Sequence, residues 1–156
     1  MGALGSQSLT FGIIFPNEPV VPALSTPRRL TAMTTWTSDE LTRIGDTDEI
    51  RLAFRRPDGT LSKARPVWVV RRGDDLYARS VNGPTAAWYR GAQATHAGHV
   101  EAAGVSKDIT FAAPDPGADD DLDAAYRAKY RRYAANIVNS ILAPQARSAA
   151  VKLVPR

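Results

Sequence analysis

Val67-Trp68-Val69-Val70 is apolar at every position, and turn signals close it off on both sides: Pro57-Asp58-Gly59 behind it and Arg72-Gly73-Asp74-Asp75 ahead. Successive side chains of a strand point to opposite faces. A run apolar on both faces therefore has to be covered on both, which places it centrally in a sheet or barrel. The connection ahead is far too short for a parallel crossover, so the next strand, Leu76 to Ser80, has to pair antiparallel with it. Upstream, Ile50, Leu52 and Phe54 alternate with Arg51, Ala53 and Arg55, the period of a half-buried strand. Two weaker strands follow at His99–Ala102 and Asp108–Ala112, and a last one at Ala150–Val154.

Helices frame these strands. Thr37-Ser38-Asp39-Glu40 has the spacing of a capping box, with Trp36 and Leu41 placed as a hydrophobic staple, and predicts a short helix over 38–44 that stops at Gly45. The Asn82-Gly83-Pro84 turn leads into a second short helix. After Pro114-Asp115-Pro116-Gly117, one long helix is predicted from Asp119 to Leu142. Leu122, Tyr126, Tyr130, Tyr133, Ile137 and Ile141 form its apolar stripe, which faces the barrel. The expected architecture is α+β: an antiparallel split barrel of about six strands with a short N-terminal helix and a long C-terminal helix.

Residues 1–33 read differently. They carry Pro16, Pro19, Pro22 and Pro27 with only Glu18, Arg28 and Arg29 charged, and no periodicity favours a helix or a central strand. They are expected to form a poorly ordered Pro-rich leader, ahead of a single domain spanning 34–156. Met33 opens a stretch that reads as a natural start, and translation from Met33 would make the leader a mis-called one; the other reading is a genuine flexible arm. Intact mass of the natively expressed protein decides between them: loss of residues 1–32 is expected, and a species retaining them overturns the start at Met33.

Cysteine is absent, which removes disulfides, thiolate nucleophiles and cysteine metal sites and fits a cytoplasmic protein. No apolar run approaches the length of a membrane span. The net charge is +4, but Arg28-Arg29, Arg55-Arg56, Arg71-Arg72 and Arg131-Arg132 are scattered rather than gathered in a stripe, so a nucleic-acid partner is not expected. His96 and His99 lack a cysteine or carboxylate pair to complete a metal site. The acids Asp119, Asp120 and Asp121 complement a helix dipole. No nucleophile elbow, Walker loop or dinucleotide fingerprint occurs.

Chemistry concentrates where the two central strands share an end. Lys63 and Arg65 precede the first, and Arg79 and Ser80 close the second; antiparallel pairing brings them together. Three cations and a hydroxyl suit a phosphate. Gly83 allows close backbone approach, with amides after it for an oxyanion, and Trp88 and Tyr89 can cover a planar ring. The alternative is an ordinary corner in which Trp88 is core. Tyr126, Tyr130 and Tyr133 are likewise either core or pocket lining.

The run Lys63-x-Arg65-Pro66 into Val67–Val70, then Leu76-Tyr77-Ala78-Arg79-Ser80-Val81-Asn82-Gly83 and Ala87-Trp88-Tyr89-Arg90, resembles the flavin-binding split β-barrel proteins. Its nearest likeness is to the deazaflavin-dependent nitroreductase branch and its small bacterial relatives of unknown function. In that branch a Gly-Arg-x-Ser-Gly-like turn precedes an arginine and a Pro-Leu strand, a second strand ends in Ala-Ser-x-Gly-Gly, and Pro-x-Trp-Tyr follows. The resemblance covers roughly Glu49 to Pro114. It implies bound flavin mononucleotide (FMN) or a deazaflavin coenzyme and hydride transfer at its ring, with Lys63, Arg65, Pro66, Arg79, Ser80, Gly83, Trp88 and Tyr89 as cofactor-binding residues, no catalytic residue singled out, and dimerisation as in such barrels. The chain departs from the family in lacking the Ser-Gly pair of the phosphate turn and in carrying Arg79 where a small residue is usual. Two functions follow: a flavin- or deazaflavin-dependent oxidoreductase, or a non-enzymatic module binding a flavin-like ligand on the same barrel.

Overall fold

The structure is a computed structural model, and it describes residues 35–156; the expectations for residues 1–33 and for a start at Met33 lie outside them. The elements run α1 (Ser38–Asp46), β1 (Glu49–Phe54), β2 (Arg65–Arg72), β3 (Asp75–Arg79), a 3-10 turn (Gly83–Thr85), α2 (Ala87–Thr95), β4 (Ala97–Ala102), β5 (Val105–Ala112), α3 (Asp119–Lys129), α4 (Ala135–Leu142), α5 (Pro144–Arg147) and β6 (Ala150–Pro155). The six strands close into an antiparallel barrel in the order β1-β2-β3-β6-β5-β4, with β4 returning to β1. The α+β barrel expected from the sequence is the fold observed.

Strand alternation divides the core in two. Val69, Leu76, Ala78, Val151 and Leu153 point into the barrel, where they meet Ile50, Leu52, Val100, Ile109 and Phe111. Their neighbours Val70, Tyr77 and Ala150 point outward and are covered by Leu122, Tyr126 and Tyr130 of the C-terminal helices and their connection. The apolar run in β2 thus serves both layers, as a centrally placed strand must. The capping box of α1 is complete: the Glu40 amide donates to Thr37 Oγ1 at 3.1 Å and the Thr37 amide to Glu40 Oε1 at 3.0 Å. The helix passes through Gly45 to Asp46 instead of stopping there. Leu41, Ile44 and Trp36 join the barrel interior, and the Trp36 indole donates to the Leu153 carbonyl at 2.9 Å.

The single long helix expected over Asp119–Leu142 is two helices. It breaks after Lys129, and Ala134 is extended at φ −59°, ψ 146° before α4 begins. Hydroxyl anchors at the β1–β2 seam hold the break. Continuing the β1–β2 register, in which Glu49 faces Trp68, Val69 would face Asp48. Tyr130 Oη sits in that position instead: it accepts from the Val69 amide at 3.1 Å and lies 2.5 Å from the Asp48 carbonyl and 3.0 Å from the Val69 carbonyl, the two acceptors within reach of its one hydrogen. Tyr133 Oη donates to the Asp48 carboxylate at 3.1 Å. The break shifts the helical phase, so the expected stripe does not run through: Leu122, Tyr126, Tyr130 and Ile141 are buried, Tyr133 is half-buried, and Ile137 is 45% exposed.

Tyr130→Phe keeps the ring and removes this substitute rung. The Val69 amide and Asp48 carbonyl are then left without their partner, and unfolding stability should fall by about 1–3 kcal/mol, the scale for stranded buried polar groups. Urea denaturation measures it, and an unchanged midpoint would show that the hydroxyl does not join the strands.

Candidate functional site

A cleft of about 520 Å³ opens where β2 begins and β3 ends. Arg65, Pro66, Val67 and Trp68 of β2 form one wall, and Arg79, Ser80, Val81 and Asn82 another. Ile137, Ser140 and Ile141 of α4 close a third, with Trp88 of α2 and Glu49 of β1 completing the lining. The antiparallel β2–β3 register, Val69 facing Ala78 and Val70 facing Tyr77, is what carries Arg65 and Arg79-Ser80 to the same end. The volume lies within the usual ligand-pocket range, and an apolar lining with few polar groups is what such pockets share.

The predicted site residues divide. Arg65, Pro66, Arg79, Ser80 and Trp88 line the cleft; Lys63, Gly83 and Tyr89 do not. Lys63 is exposed in the segment before β2. Tyr89 is half-buried on α2, packed against the barrel interior. Gly83, at φ +78°, shapes the turn: a Cβ there would stand 3.2 Å from Gln145 Cβ, and Gln145 Nε2 donates to the Val81 carbonyl at 3.1 Å. The glycine lets the corner close onto α5.

The Arg79 guanidinium turns away from the cleft mouth. Alternation puts Arg79 on the outer face of β3 with Tyr77, under the helical layer. It is 1% exposed. Its Nη1 donates to Asp123 Oδ1 at 2.6 Å and to the Ile141 carbonyl at 3.2 Å, and its Nη2 to the Asp119 carbonyl at 3.0 Å. The Tyr126 ring lies 5.4 Å away. This charge is committed to α3 and α4. Arg65, by contrast, is exposed, and its side chain makes no hydrogen bond or ion pair among the described residues. It is the cation the cleft has free.

Ser80 lines the cleft and is 1% exposed, yet its Oγ has no hydrogen-bond partner. A buried hydroxyl without a partner is costly unless something else supplies one. A ligand polar edge beside Ser80 would do so, so the residues present fit a planar ligand with polar groups along one side.

The sequence reading missed Trp68, Ile137 and Ser140. Trp68 was counted with the apolar run, but its indole lies flat on Tyr130 (centroids 3.9 Å apart, planes 2° apart) and remains half exposed at the cleft. Ile137 could have been found only by foreseeing the helix break. Elsewhere, His96 ends α2 in the left-handed region at φ 57°. His99 bridges Asp108 and Ser106, each at 2.9 Å, on the outer barrel face, and its contact and that of Arg55 hold the Asp108 carboxyl below its ordinary range. Among the described residues, no group of three or more His, Cys, Asp or Glu side chains is gathered as a metal site, and no helix is long and apolar enough to cross a membrane.

Fold and cleft together define a small antiparallel barrel with a ligand-sized cleft at the β2–β3 end. Residues 40–153 match the family described as an uncharacterized protein conserved in bacteria, DUF2255, and the chain belongs to it. No curated protein matches the chain. Among solved structures it is similar to one described as an F420 reductase, at 17% identity and a TM-score of 0.48, with 74% of this chain and 90% of that chain covered. A conserved hypothetical protein from Mycobacterium tuberculosis aligns at 10% identity and a TM-score of 0.49, covering 80% and 82%. A FAD-binding protein from Mesorhizobium loti aligns at 19% identity and a TM-score of 0.46, covering 78% and 89%.

Because Ser80 Oγ gives up no hydrogen bond, Ser80→Ala should leave the ligand-free protein within about 0.5 kcal/mol of the parent, the range of substitutions that break nothing specific. A denaturation midpoint lowered well beyond that would mean the hydroxyl already has a partner within the fold.

Proposed function

We propose that the cleft binds a flavin-type cofactor, FMN or a deazaflavin, and that the protein is an oxidoreductase using it. The observation that carries this reading is what gathers at the cleft: a partly exposed Trp68 and an uncommitted Arg65 side chain from β2, with an unpartnered Ser80 hydroxyl after β3. An aromatic face suits a planar ring, a free guanidinium suits a phosphate, and a buried hydroxyl suits the ring's polar edge. Arg65 holds the anionic end, with Lys63 near enough in the chain to join it. Trp68 and Trp88 flank the ring, Pro66, Ile137 and Ile141 exclude water, and Ser80 orients it. Arg79 takes part indirectly, by fixing the wall against which the ring lies. Gly83 and Tyr89 support the corner from behind. The bound group supplies hydride transfer at its ring; the chain supplies position and dryness.

A second reading, a binding module without turnover, has one observation in its favour. Among the cleft-lining residues the titratable groups are Glu49, Arg65 and Arg79, and Arg79 is ion-paired with Asp123. Little in the lining is available to pass protons to a substrate. Turnover of a reduced cofactor against nitro or quinone acceptors separates the two.

Binding comes first. The protein should quench or shift FMN fluorescence on titration. Arg65→Ala should weaken FMN by ten- to a hundredfold, about 1.5–3 kcal/mol for a charged hydrogen bond to phosphate, while riboflavin, which has no phosphate, should respond equally to both proteins. Absence of any fluorescence change with FMN, riboflavin or a deazaflavin up to millimolar concentration would overturn the assignment.

A further inference from the structure

Strand alternation in the β4–β5 hairpin sends Val100, Ala102, Ile109 and Phe111 into the barrel and leaves His99, Glu101, Ser106 and Asp108 on the outer face. His99 stands opposite Asp108, and Glu101 opposite Ser106, so Ser106 is the diagonal neighbour of His99. Diagonal neighbours on one sheet face lie within reach of a long side chain. The His99 ring accordingly bridges the other two, with Nδ1 2.9 Å from Asp108 Oδ1 and Nε2 2.9 Å from Ser106 Oγ. The contact with His99, and then the Arg55 charge, hold the Asp108 carboxyl below its ordinary range. A carboxylate only accepts, so in the neutral imidazole Nδ1 carries the hydrogen and Nε2 accepts from the Ser106 hydroxyl. Arg55 also holds the carboxylate in place, donating to Asp108 Oδ1 at 3.3 Å and to the Gly59 carbonyl at 2.8 Å. Carboxylate, imidazole and hydroxyl in that order make a serine oxygen nucleophilic, and the constellation is recognised by geometry rather than by sequence position. Ser106 also lines a hollow of about 430 Å³ with Glu49, Arg51, Glu101 and the turn from Ala102 to Val105, and this lining shares only Glu49 with the β2–β3 cleft. Arg51 lies in the same cross-strand row as Glu101 and Ser106. Its side chain makes no hydrogen bond or ion pair among the described residues.

We propose that Ser106, His99 and Asp108 form a second site, which transfers the acyl group of a small ester to water. Ser106 Oγ adds to the ester carbonyl carbon while its proton passes to His99 Nε2. The bond to the alcohol oxygen breaks, the alcohol leaves with that proton, and the acyl group stays on Ser106. Water then adds to the acyl carbon, giving its proton to Nε2; the carboxylic acid departs as that proton returns to Ser106 Oγ. Nothing is oxidised or reduced, and water is the co-reactant. Asp108 acts through His99: it orients the ring and stabilises the imidazolium that forms. Arg51 is the cation of the hollow that meets the negative charge developing on the carbonyl oxygen. Glu49 and Glu101 set two acidic side chains against that one guanidinium, so the hollow suits an uncharged ester over an anionic one. The site is independent of any cofactor in the β2–β3 cleft.

Diisopropyl fluorophosphate phosphorylates activated serine oxygens with loss of fluoride. The full chain should take up one such group, located on Ser106 by peptide mass spectrometry, and should hydrolyse p-nitrophenyl acetate. Ser106→Ala should abolish both. His99→Gln should slow labelling by about a hundredfold or more, the scale of a positioned base, and Asp108→Asn, which leaves the ring in the wrong tautomer, by a similar factor. Ser106 and Asp108 are exposed and His99 is half-buried, so these variants should keep the parent melting midpoint. A hydrogen-bond chain that is merely structural would lower that midpoint in the variants and leave the parent unlabelled, and that result overturns the proposal. So does a label on another residue, labelling no faster than in the guanidinium-unfolded chain, or ester hydrolysis that survives Ser106→Ala. Phenyl acetate should be cleaved faster than the anionic para-acetoxybenzoate; the reverse order overturns the assigned substrate class.

Discussion

The buried ion pair between Arg79 and Asp123 holds the cleft in shape. A guanidinium with no exposed side-chain surface is tolerable only if its charge is met. Its charge and both terminal nitrogens are met from two different elements, Asp123 and the Asp119 carbonyl from α3 and the Ile141 carbonyl from α4, while Nε has no partner. One side chain at the end of β3 therefore fixes the start of one helix and the end of the next. Ile137, Ser140 and Ile141 present a wall to the cleft because the last turn of α4 is tied to that arginine. Pairs of this kind are poor sources of net stability but costly to break, so their value here is positional. Arg147 adds to the same acidic turn from α5, through Asp120 at 3.1 Å, and brings Gln145 against the corner that Gly83 permits.

The opposite side of the cleft depends on a second polar device. A barrel seam is ordinarily joined by backbone pairs, yet at Asp48 and Val69 the join passes through a phenol. Lys129 reinforces it, donating to the Val69 carbonyl at 2.6 Å, and burial lowers its pKa to about 8. The seam thus opens by the width of a hydroxyl, and the Tyr130 ring comes to lie flat under Trp68. The hydrogen bonding that ends α3 and the stacking that presents an indole to the cleft are two consequences of one residue's placement.

Much of this was legible in the sequence, and the physical reason for each success is local. The capping box, the tight β2–β3 turn and the alternation in β1 depend on neighbours a few residues apart, and all appear in the fold. Convergence of Arg65 with Arg79 and Ser80 followed from antiparallel pairing alone. The failures share a different origin. A stripe at three- and four-residue spacing from Leu122 to Ile141 reads as one helix, because nothing local announces that two tyrosine hydroxyls will be claimed by a strand seam some eighty residues earlier in the chain. Once the helix breaks, its phase is lost, and Ile137 moves from the expected core to the rim of the cleft. Lys63 was grouped with Arg65 by proximity in sequence, although only Arg65 reaches the lining.

Arg79 is the instructive case, because the information was present. Tyr77 and Arg79 share a strand face, and Leu76 and Ala78 the other; once the aliphatic pair is assigned to the barrel interior, Arg79 has to point into the helical layer. A cation there demands an acid, and the first turns of the following helix offer four, Asp119, Asp120, Asp121 and Asp123. The acidic run therefore does more than complement the helix dipole. Asp123 lies one turn beyond Asp119 and Asp120, on the face that carries Leu122 and Tyr126 into the core, and of the four it is the one that is buried. With its terminal nitrogens bonded to a carboxylate and two carbonyls, Arg79 offers the cleft no terminal donor pair, and Arg65 is the lining cation whose side chain is uncommitted among the described residues. Arg79 is turned outward, and the space beside Ser80 stays open because Asp123 draws the long side chain away from it.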